Sequence, residues 1–264
     1  MLSGIIILGC DDEGDTVGLT ETKLHYYTES FEIAGFEFDP QYTVMYNYDN
    51  SGKLENYTFY SYDPVSQDLR KERTFMFTYL HGRVKQIEGF LVNKSEPYIT
   101  HSYAYLPDSR VASIKEINAG AGKSSQADFH YLPDDIVKVV YQYSNGNSFE
   151  YEFHYGNQNI LTDKTTRGAQ PCSDGSYSYD QYKSPFKTLG YIDYMLFNLS
   201  ANNRLTENVN YVSCSFPTLL PESYEYEYDD NGFPTVAITK YKAGGAIKKS
   251  KKTFFYKQER VEGL

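Results

Sequence analysis

The chain has 264 residues, a formal net charge of −10 and an aromatic content of 17%, which comes mostly from 28 Tyr and includes no Trp. A protein that binds nucleic acid needs a basic stripe against the phosphates, and this acidic chain has no long basic run. We therefore expect no nucleic-acid partner, and we expect a globular chain that is long enough to bury a sizeable core.

The first ten residues predict attachment to a membrane. Ser3 to Gly9 is apolar or small, and the sequence Ile7-Leu8-Gly9 before Cys10 resembles a lipobox, where a bacterial signal peptide is cut and the new N-terminal Cys is lipidated. The stretch is too short to span a bilayer as a helix and lacks the basic start of a full signal peptide. We interpret residues 1–10 as the remnant of a lipoprotein signal peptide, with lipidation at Cys10. The alternative is an apolar N-terminal strand that contains a structural Cys.

An acidic tether follows over residues 11–22. Its first part, Asp11-Asp12-Glu13-Gly14-Asp15, resembles the export signal of surface-exposed Bacteroidetes lipoproteins, although an acidic run is also typical of any solvated linker. Together with Cys10 it predicts an outer-membrane lipoprotein of a Gram-negative bacterium, facing either the periplasm or the outside. The membrane contact is then the N-terminal lipid anchor.

Residues 23–264 repeat one short phrase: an aromatic residue, any residue, Tyr, a turn, and an apolar residue that opens a second extended run. The clearest copy runs from Tyr46 through Tyr48 to Leu54, and the second Tyr of successive copies lies at 48, 79, 105, 131, 155, 228 and 256. Alternation of aromatic and polar residues before each turn is the signal of a half-buried strand, and Asn, Asp, Gly and Pro supply the turns. Each copy therefore predicts a β-hairpin in a single repeat domain.

The phase of the alternation puts the aromatic residues on one side of one sheet. We expect an all-β, antiparallel meander of about fourteen strands, which twist curls into an open or closed barrel-like sheet with the aromatic face inside. Five of these residues form a candidate binding surface, because rigid aromatic side chains suit contact at low entropic cost. They are Tyr151, Tyr155, Tyr224, Tyr226 and Tyr228. The alternative is that these Tyr side chains fill the core.

An insertion over residues 167–222 interrupts the repeat. Leu189, Ile192 and Leu199 are among apolar residues spaced near three and four, which predicts one amphipathic helix at about 186–200 that covers the concave side of the sheet. Cys172 and Cys214 flank this helix. In an oxidising compartment they can form a disulfide worth roughly 4 kcal/mol on the chain-entropy model, or they can remain two unpaired, buried Cys.

The opposite face of the sheet carries charges. A membrane-spanning barrel needs an uninterrupted apolar belt towards lipid, so the alternation predicts a barrel that does not span the membrane. The basic run Lys248-Lys249-Ser250-Lys251-Lys252 is local. We interpret it as protection of an exposed strand edge against pairing with other chains.

Two copies of the phrase carry a family resemblance. The stretches from Tyr46 to Leu54 and from Tyr226 to Phe233 resemble the YD repeats of Rhs and teneurin shells, while the five copies between and after them lack Asp after Tyr. The whole plan also resembles a Bacteroidetes envelope lipoprotein family of unknown function with a porin-like fold. The resemblance implies a β fold and an envelope location. It brings no catalytic residues.

No motif predicts chemistry. His130 and His154 occupy the same place in successive copies, but a metal site needs three or four ligands with defined geometry. Glu225 and Glu227 are typical of a charged solvent face. We expect no enzyme, no metal and no cofactor. The leading hypothesis is a binding module for a glycan, a peptide or a partner protein. The alternative is a structural β-shell, and third comes a glycoside hydrolase with paired carboxylates.

Overall fold

The computed structural model describes residues 19–32, 39–63, 66, 68–196, 199–214, 220–243 and 246–261. Within them every regular element is a β-strand, apart from one short 3₁₀ turn. The strands are β1 (Leu19–Phe31), β2 (Asp39–Tyr48), β3 (Leu54–Tyr62), β4 (Leu69–Leu80), β5 (Arg83–Leu91), β6 (Ile99–Tyr105), β7 (Val111–Asn118), β8 (Lys123–Leu132), β9 (Ile136–Tyr143), β10 (Ser148–Gly156), β11 (Asn159–Arg167), β12 (Gln170–Lys183), β13 (Asn202–Tyr211), β14 (Leu220–Tyr228), β15 (Pro234–Ala243) and β16 (Ala246–Val261). Cys10 and the acidic run lie outside the described residues, and β1 begins within the range predicted as a tether.

The strands form a closed barrel. Each strand pairs antiparallel with the next, and β16 returns to pair with β1, with Tyr27 opposite Phe254. The all-β meander is therefore confirmed, the open alternative is excluded, and sixteen strands replace the expected fourteen. The range predicted as an insertion contains β12, β13 and the start of β14, which continue the meander. The edge interpretation of the basic run is wrong, because β16 has a partner on both sides.

The second Tyr of the repeated phrase has a structural role at the rim of the barrel. In the copies that contain Tyr48, Tyr79, Tyr105, Tyr155 and Tyr228, the strand register shifts immediately before that Tyr. Such a bulge re-aims the side chain. Tyr79 Oη then donates to the Leu54 carbonyl at 2.8 Å, and Tyr105 Oη donates to the Val84 carbonyl at 2.7 Å. In these copies the hairpin thus bonds the apolar residue that opens the second strand of the hairpin before it.

A basic residue completes this link between hairpins. The cation that directly precedes the opening apolar residue lies over the ring of the Tyr in the next copy. The pairs are Lys23 with Tyr48, Lys53 with Tyr79, Arg83 with Tyr105 and Arg110 with Tyr131, at 4.1–5.8 Å from cation to ring centroid. The repeat therefore has a third element, a basic residue before the apolar one, beyond the aromatic residues and the turn.

The two faces of the wall differ as the alternation predicts. In β8 and β9, Ala127, Phe129 and Val139 point inward and are buried. The outward positions of β8 to β11 are mostly polar: Ser124, Gln126, Asp128, His130, Lys138, Gln142, Ser148, Glu150, Glu152, His154, Thr162, Lys164 and Thr166. Leu132, Ile136 and Val140 are apolar positions on the same face. Lys138 bridges Glu150 at 2.9 Å on this outer surface. In this part of the wall the outer face is therefore hydrophilic.

The connection between β12 and β13 folds back into the barrel. We call residues 184–201 the lumenal segment; residues 197 and 198 are not described. Its Phe186 meets Tyr27 of β1 edge-to-face, and its Tyr191 meets Phe77 of β4. Tyr103 of β6 donates to the Ile192 carbonyl at 2.8 Å. Since these wall residues come from widely separated strands, the segment crosses the lumen.

The predicted helix at 186–200 is wrong within the described residues. Only Pro185–Leu189 forms a 3₁₀ turn, which ends at Gly190 with φ 76°. The apolar positions are used as predicted, since Leu189 and Leu199 are buried. However, the carbonyls of Ile192 and Tyr194 accept hydrogen bonds from Tyr hydroxyls of the wall. In a helix, backbone N–H groups of the segment itself would donate these bonds. The wall thus supplies hydrogen-bond donors to the carbonyls of the segment, and the segment can follow an irregular path.

Candidate binding cavity in the barrel lumen

The lumen retains a cavity of about 390 Å³ between the lumenal segment and the wall formed by β9 to β16. It reaches from Pro185 and Ser200 of the segment to Tyr143, which lies next to the turn between β9 and β10. Met195, on the cavity side of the segment, is 61% exposed. Tyr143 is 40% exposed as well, so the cavity is accessible from the end formed by the turn between β9 and β10.

Aromatic side chains are the largest group in this lining. Tyr151 and Phe153 stack at 5.9 Å between centroids, and Tyr141 meets Tyr151 edge-to-face at 5.5 Å. The aromatic lining consists of Tyr141, Tyr143, Tyr151, Phe153, Tyr177, Tyr179, Phe186, Tyr194, Tyr224, Tyr226 and Phe254. A concave surface that combines aromatic and apolar side chains with polar groups is the usual form of a small-molecule site.

A chain of polar contacts crosses the aromatic wall. Tyr177 Oη donates to Asp163 Oδ1 at 2.7 Å, and the Arg204 guanidinium lies over the Tyr177 ring at 4.2 Å. Arg204 Nη1 donates to Glu207 at 2.7 Å, and Tyr224 Oη donates to the same carboxylate at 3.0 Å. We call these five residues the polar relay. Asp163 and Arg204 line the cavity, so the relay presents one acid and one guanidinium to it.

Burial decides the protonation of the relay. Desolvation raises the pKa of the Asp163 carboxyl, against the lowering effects of the Tyr177 hydroxyl and Arg204. Burial also opposes the charge on Arg204, but the adjacent Glu207 outweighs it and the pKa of the guanidinium is raised. Arg204 therefore stays a cation in its ion pair, while Asp163 is a weaker acid than a solvated Asp.

Gly175 makes room for this arrangement. A Cβ added there would fall inside contact distance of the Asp163 carboxylate and the Tyr177 hydroxyl. Any larger residue must therefore displace one of the two groups.

A second ion pair reaches the cavity from β16, three strands along the wall from β13. Lys252 Nζ, which lines the cavity, lies 2.8 Å from Glu29 Oε1, and Glu29 is 3% exposed. Tyr42 also donates to Glu29. Lys252 belongs to the basic run that the sequence suggested as edge protection. The Lys252 side chain points inward from β16, so its partner, Glu29, lies inside the barrel.

The five predicted Tyr are not one surface. Tyr151, Tyr224 and Tyr226 line the cavity together, whereas Tyr155 lines a separate pocket beside Leu199 and Lys187. Tyr228 donates to Asp180 near the rim. The sequence reasoning missed Asp163, Arg204 and Glu207. A signal was present, because Asp163 and Glu207 stand at inward positions of their strands, opposite Phe153 and Tyr177 respectively.

Cys172 and Cys214 form a disulfide with Cα atoms 4.9 Å apart. Next to it, the Val212 N–H donates to the Cys172 carbonyl at 2.8 Å. The bond joins the start of β12 to the end of β13. It therefore encloses both strands and the lumenal segment between them.

Another polar cluster holds the lumenal segment in place. His101 Nε2 lies 3.0 Å from Glu116 Oε2, and its ring stacks on Tyr194 at 5.0 Å. The Tyr194 hydroxyl is 2.6 Å from Ser125 Oγ, and burial raises its pKa to about 12. These side chains from β6, β7 and β8 fix the segment against the wall.

The described residues contain no group of three or more His, Cys, Asp and Glu that could hold a metal ion. His130 and His154 lie outward on strands that are separated by β9, with Lys138 opposite His130. Glu225 pairs with Lys240, also on the outer face. In the part of the chain that the structure covers, no helix is long and apolar enough to cross a membrane.

Comparison with known proteins gives a fold. No model of a known protein family matches the chain, and no curated protein matches it. Among solved structures, a porin-like protein from Bacteroides uniformis ATCC 8492 is similar, with a TM-score of 0.56 and 13% sequence identity over 89% of this chain and 98% of that chain. At this identity the likeness shows a porin-like β-barrel fold.

Proposed function

We propose that this protein is a non-enzymatic cell-envelope lipoprotein that binds a ligand inside a closed β-barrel. The observation that carries the proposal is the lumenal cavity of about 390 Å³, lined by aromatic rings and by the acid and guanidinium of the polar relay. A protein that only needed a solid core would fill this space, because protein interiors are close-packed. The volume is within the range of small-molecule sites.

The envelope location rests on two separate observations. The sequence before Cys10 resembles a lipobox, and the fold is similar to that of a porin-like protein from a Bacteroides species. A lipid on Cys10 would hold the barrel at the outer membrane. Replacement of Cys10 by Ser should release the protein from the membrane fraction of a Gram-negative host. Continued membrane association of that variant would contradict the lipid anchor.

The absence of catalysis is proposed from the state of the carboxylates. Asp163 accepts the Tyr177 hydroxyl, and Glu207 accepts both Arg204 and Tyr224. Glu207 is therefore held by two contacts and Asp163 by one, as expected of groups that position a ligand. A glycoside hydrolase needs one acid and one base or nucleophile free to act on opposite sides of the bond.

A thermal-shift screen tests ligand binding. A ligand that binds only the folded barrel at 100 times its Kd stabilises it by about 2.7 kcal/mol. The full chain should show such shifts with a subset of a library of oligosaccharides, peptides and small metabolites, and Tyr226→Ala should reduce them. Tyr60→Ala is the matched control, since Tyr60 lies outside this cavity. Equal responses in both variants would place any binding elsewhere.

A structural shell is the second candidate. The specific observation for it is that the lumenal segment crosses the lumen and is held there by bonds such as those from Tyr103 and Ser125. A shell would leave the cavity without a specific ligand. A complete absence of thermal shifts across the library would favour the shell over the binding protein.

A further inference from the structure

We propose that the ligand of the lumenal cavity is a short neutral oligosaccharide, which stacks on the Tyr rings and hydrogen-bonds with Asp163 and Arg204. This inference deepens the proposed function and rests on it. It names the class of ligand among the glycan, peptide and protein alternatives.

The size of the site excludes one of those alternatives. A cavity of about 390 Å³ does not admit the surface of a folded partner protein. A peptide is commonly recognised by adding a strand to an exposed sheet edge. In the described residues every strand has a neighbour on both sides, and the shortest pairing is that of β13 with β14, at Thr206 and Ser223. A peptide therefore stays an alternative that the binding test decides.

The charge balance favours a neutral ligand over an acidic one. Of the described residues that line the cavity, Arg204 and Lys252 are cations and Asp163 is an acid. Both cations are already paired, Arg204 with Glu207 at 2.7 Å and Lys252 with Glu29 at 2.8 Å. A carboxylate or phosphate ligand would have to compete with these buried partners, and it would add a charge near Asp163.

The geometry of the relay suits hydroxyl groups. A sugar hydroxyl both donates and accepts, and the relay offers an acceptor and a donor on either side of the Tyr177 ring. Asp163 Oδ1 accepts from Tyr177, and its Oδ2 has no bonded partner among the described residues. Arg204 uses Nη1 for Glu207 and has further N–H groups on its planar fork. A hydroxyl pair can therefore bridge the two side chains.

The aromatic wall suits the rings of a sugar. The face of an aromatic ring is electronegative, and it attracts the slightly positive C–H groups on the face of a pyranose. Tyr151 on β10 and Tyr226 on β14 flank the relay residues of β11 to β13. A Tyr wall also offers hydroxyl groups at the ring edges, which a purely aliphatic ligand would leave without partners.

The test measures binding of defined probes to the full chain by saturation-transfer NMR and calorimetry. The neutral probes are maltotriose, cellotriose and chitotriose, the acidic probe is trigalacturonate, and the peptide probe is trialanine. At least one neutral trisaccharide should bind. Arg204→Lys and Asp163→Asn should each weaken that binding about tenfold or more, since each removes a charged hydrogen-bond partner or its planar geometry.

Matched controls separate the relay from general charge effects. Arg167→Lys changes an exposed Arg at the rim, and Asp174→Asn changes an outward Asp on β12; both should bind as the unchanged protein does. Tyr143→Ala, at the accessible end of the cavity, should weaken binding about tenfold without loss of folding. The Tyr143→Ala variant still tests the site if a relay variant does not fold.

The outcomes distinguish this inference from the proposed function. Binding of trigalacturonate or trialanine in the cavity, with no neutral trisaccharide bound, would overturn the inference and leave the binding protein intact. No binding by any probe would overturn the inference, and absence of any response in the wider library would overturn the proposed function also. Neutral binding that Arg204→Lys, Asp163→Asn and Tyr143→Ala leave unchanged would contradict the assigned site.

Discussion

At the scale of the residue, the barrel depends on polar side chains that face inward among aromatic rings. Asp163 is 8% exposed and Glu29 is 3% exposed, yet each has a hydroxyl or cation in contact. A buried polar group costs free energy unless it is hydrogen-bonded, so these contacts are necessary for folding as well as available for function. The Tyr hydroxyls at the rim follow the same rule, because they satisfy carbonyls of the neighbouring hairpin.

Asp163 predicts a dependence of stability on pH. Burial raises its pKa in the folded state, against the effects of Tyr177 and Arg204 and together with the nearby Glu207 and Asp174. A group whose folded pKa is raised stabilises the fold fully below its unfolded pKa of about 3.9, and this contribution is lost as pH rises through the folded pKa. The native chain should therefore lose stability relative to Asp163→Asn as pH rises from about 3.9.

Thermal unfolding of both proteins between pH 3 and pH 7 checks this prediction. Asn keeps an oxygen that can accept the Tyr177 hydroxyl, so the variant isolates the charge. The exposed change Asp174→Asn should show no comparable pH-dependent gain. A difference between Asp163→Asn and the native chain that stays constant with pH would contradict the raised pKa.

The rim bond of Tyr79 gives a second prediction at this scale. Tyr79→Phe removes the hydroxyl that donates to the Leu54 carbonyl at 2.8 Å. The free energy of unfolding should fall by about 1 kcal/mol, the usual net worth of such a bond. Tyr60→Phe is the control, since no hydrogen bond of that hydroxyl is seen within the described residues. Chemical denaturation measures both, and equal effects would mean that the rim bond adds nothing.

At the scale of the element, the lumenal segment shows how surroundings override local preference. Its apolar spacing is helical, and Gly190 and the wall hydroxyls favour an irregular path instead. Leu189 is 6% exposed against Leu24 and Tyr27, whereas Met195 is 61% exposed beside the cavity. Leu189 is thus seated in the core, whereas Met195 borders open space.

Leu189→Ala should therefore destabilise the barrel by about 2–5 kcal/mol, the usual loss for a buried Leu truncated to Ala. Met195→Ala should change the free energy of unfolding by no more than about 0.5 kcal/mol, as for other exposed positions. Denaturant unfolding of the two variants checks the contrast. Similar small losses in both would show that the segment is not seated on the core.

The disulfide predicts a further stabilisation of this element. Cys172 and Cys214 are separated by 42 residues, and closing such a loop stabilises by roughly 4 kcal/mol on the chain-entropy model. The double change Cys172→Ser and Cys214→Ser should lower the free energy of unfolding by about that amount. Reductant should have the same effect on the native chain and none on the double variant. Insensitivity of the native chain to reductant would contradict the bond.

At the scale of the whole molecule, closure places two unlike environments on the two sides of one wall. The outer positions of β8 to β11 are mostly charged or polar, and the inner positions carry the rings. A charged side chain on a lipid-facing position near the midplane costs about 2–4 kcal/mol. This part of the wall is therefore suited to water, and our proposal is that the chain contacts the membrane through a lipid on Cys10.

A detergent-free experiment tests this view of the molecule. Residues 11–264, which lack the proposed lipid site, should remain monodisperse in gel filtration without detergent. Addition of lipid vesicles should leave the protein in the supernatant after centrifugation. Aggregation that only detergent relieves, or insertion into vesicles, would mean that the outer wall meets lipid after all.

The sequence by itself determined the hairpins, the inward direction of the rings and the polar outer face, because alternation and turn chemistry are local properties of the chain. Residues such as Phe153 and Glu152 show their faces through their phase alone. Closure depended on the pairing of β1 with β16, which joins residues from opposite ends of the chain, such as Tyr27 and Phe254. No local pattern carries that information.

Only the tertiary structure decided the site. Asp163, Arg204 and Glu207 join one relay because β11, β12 and β13 lie side by side. The register puts Asp163 opposite Gly175, Glu207 opposite Tyr177 and Arg204 opposite Tyr179, and Tyr177 connects the acid to the guanidinium. The lumenal segment is irregular because wall hydroxyls, and not its own N–H groups, bond its carbonyls. The volume left between that segment and the rings is a property of the closed barrel, and the cavity could not be read from composition or spacing.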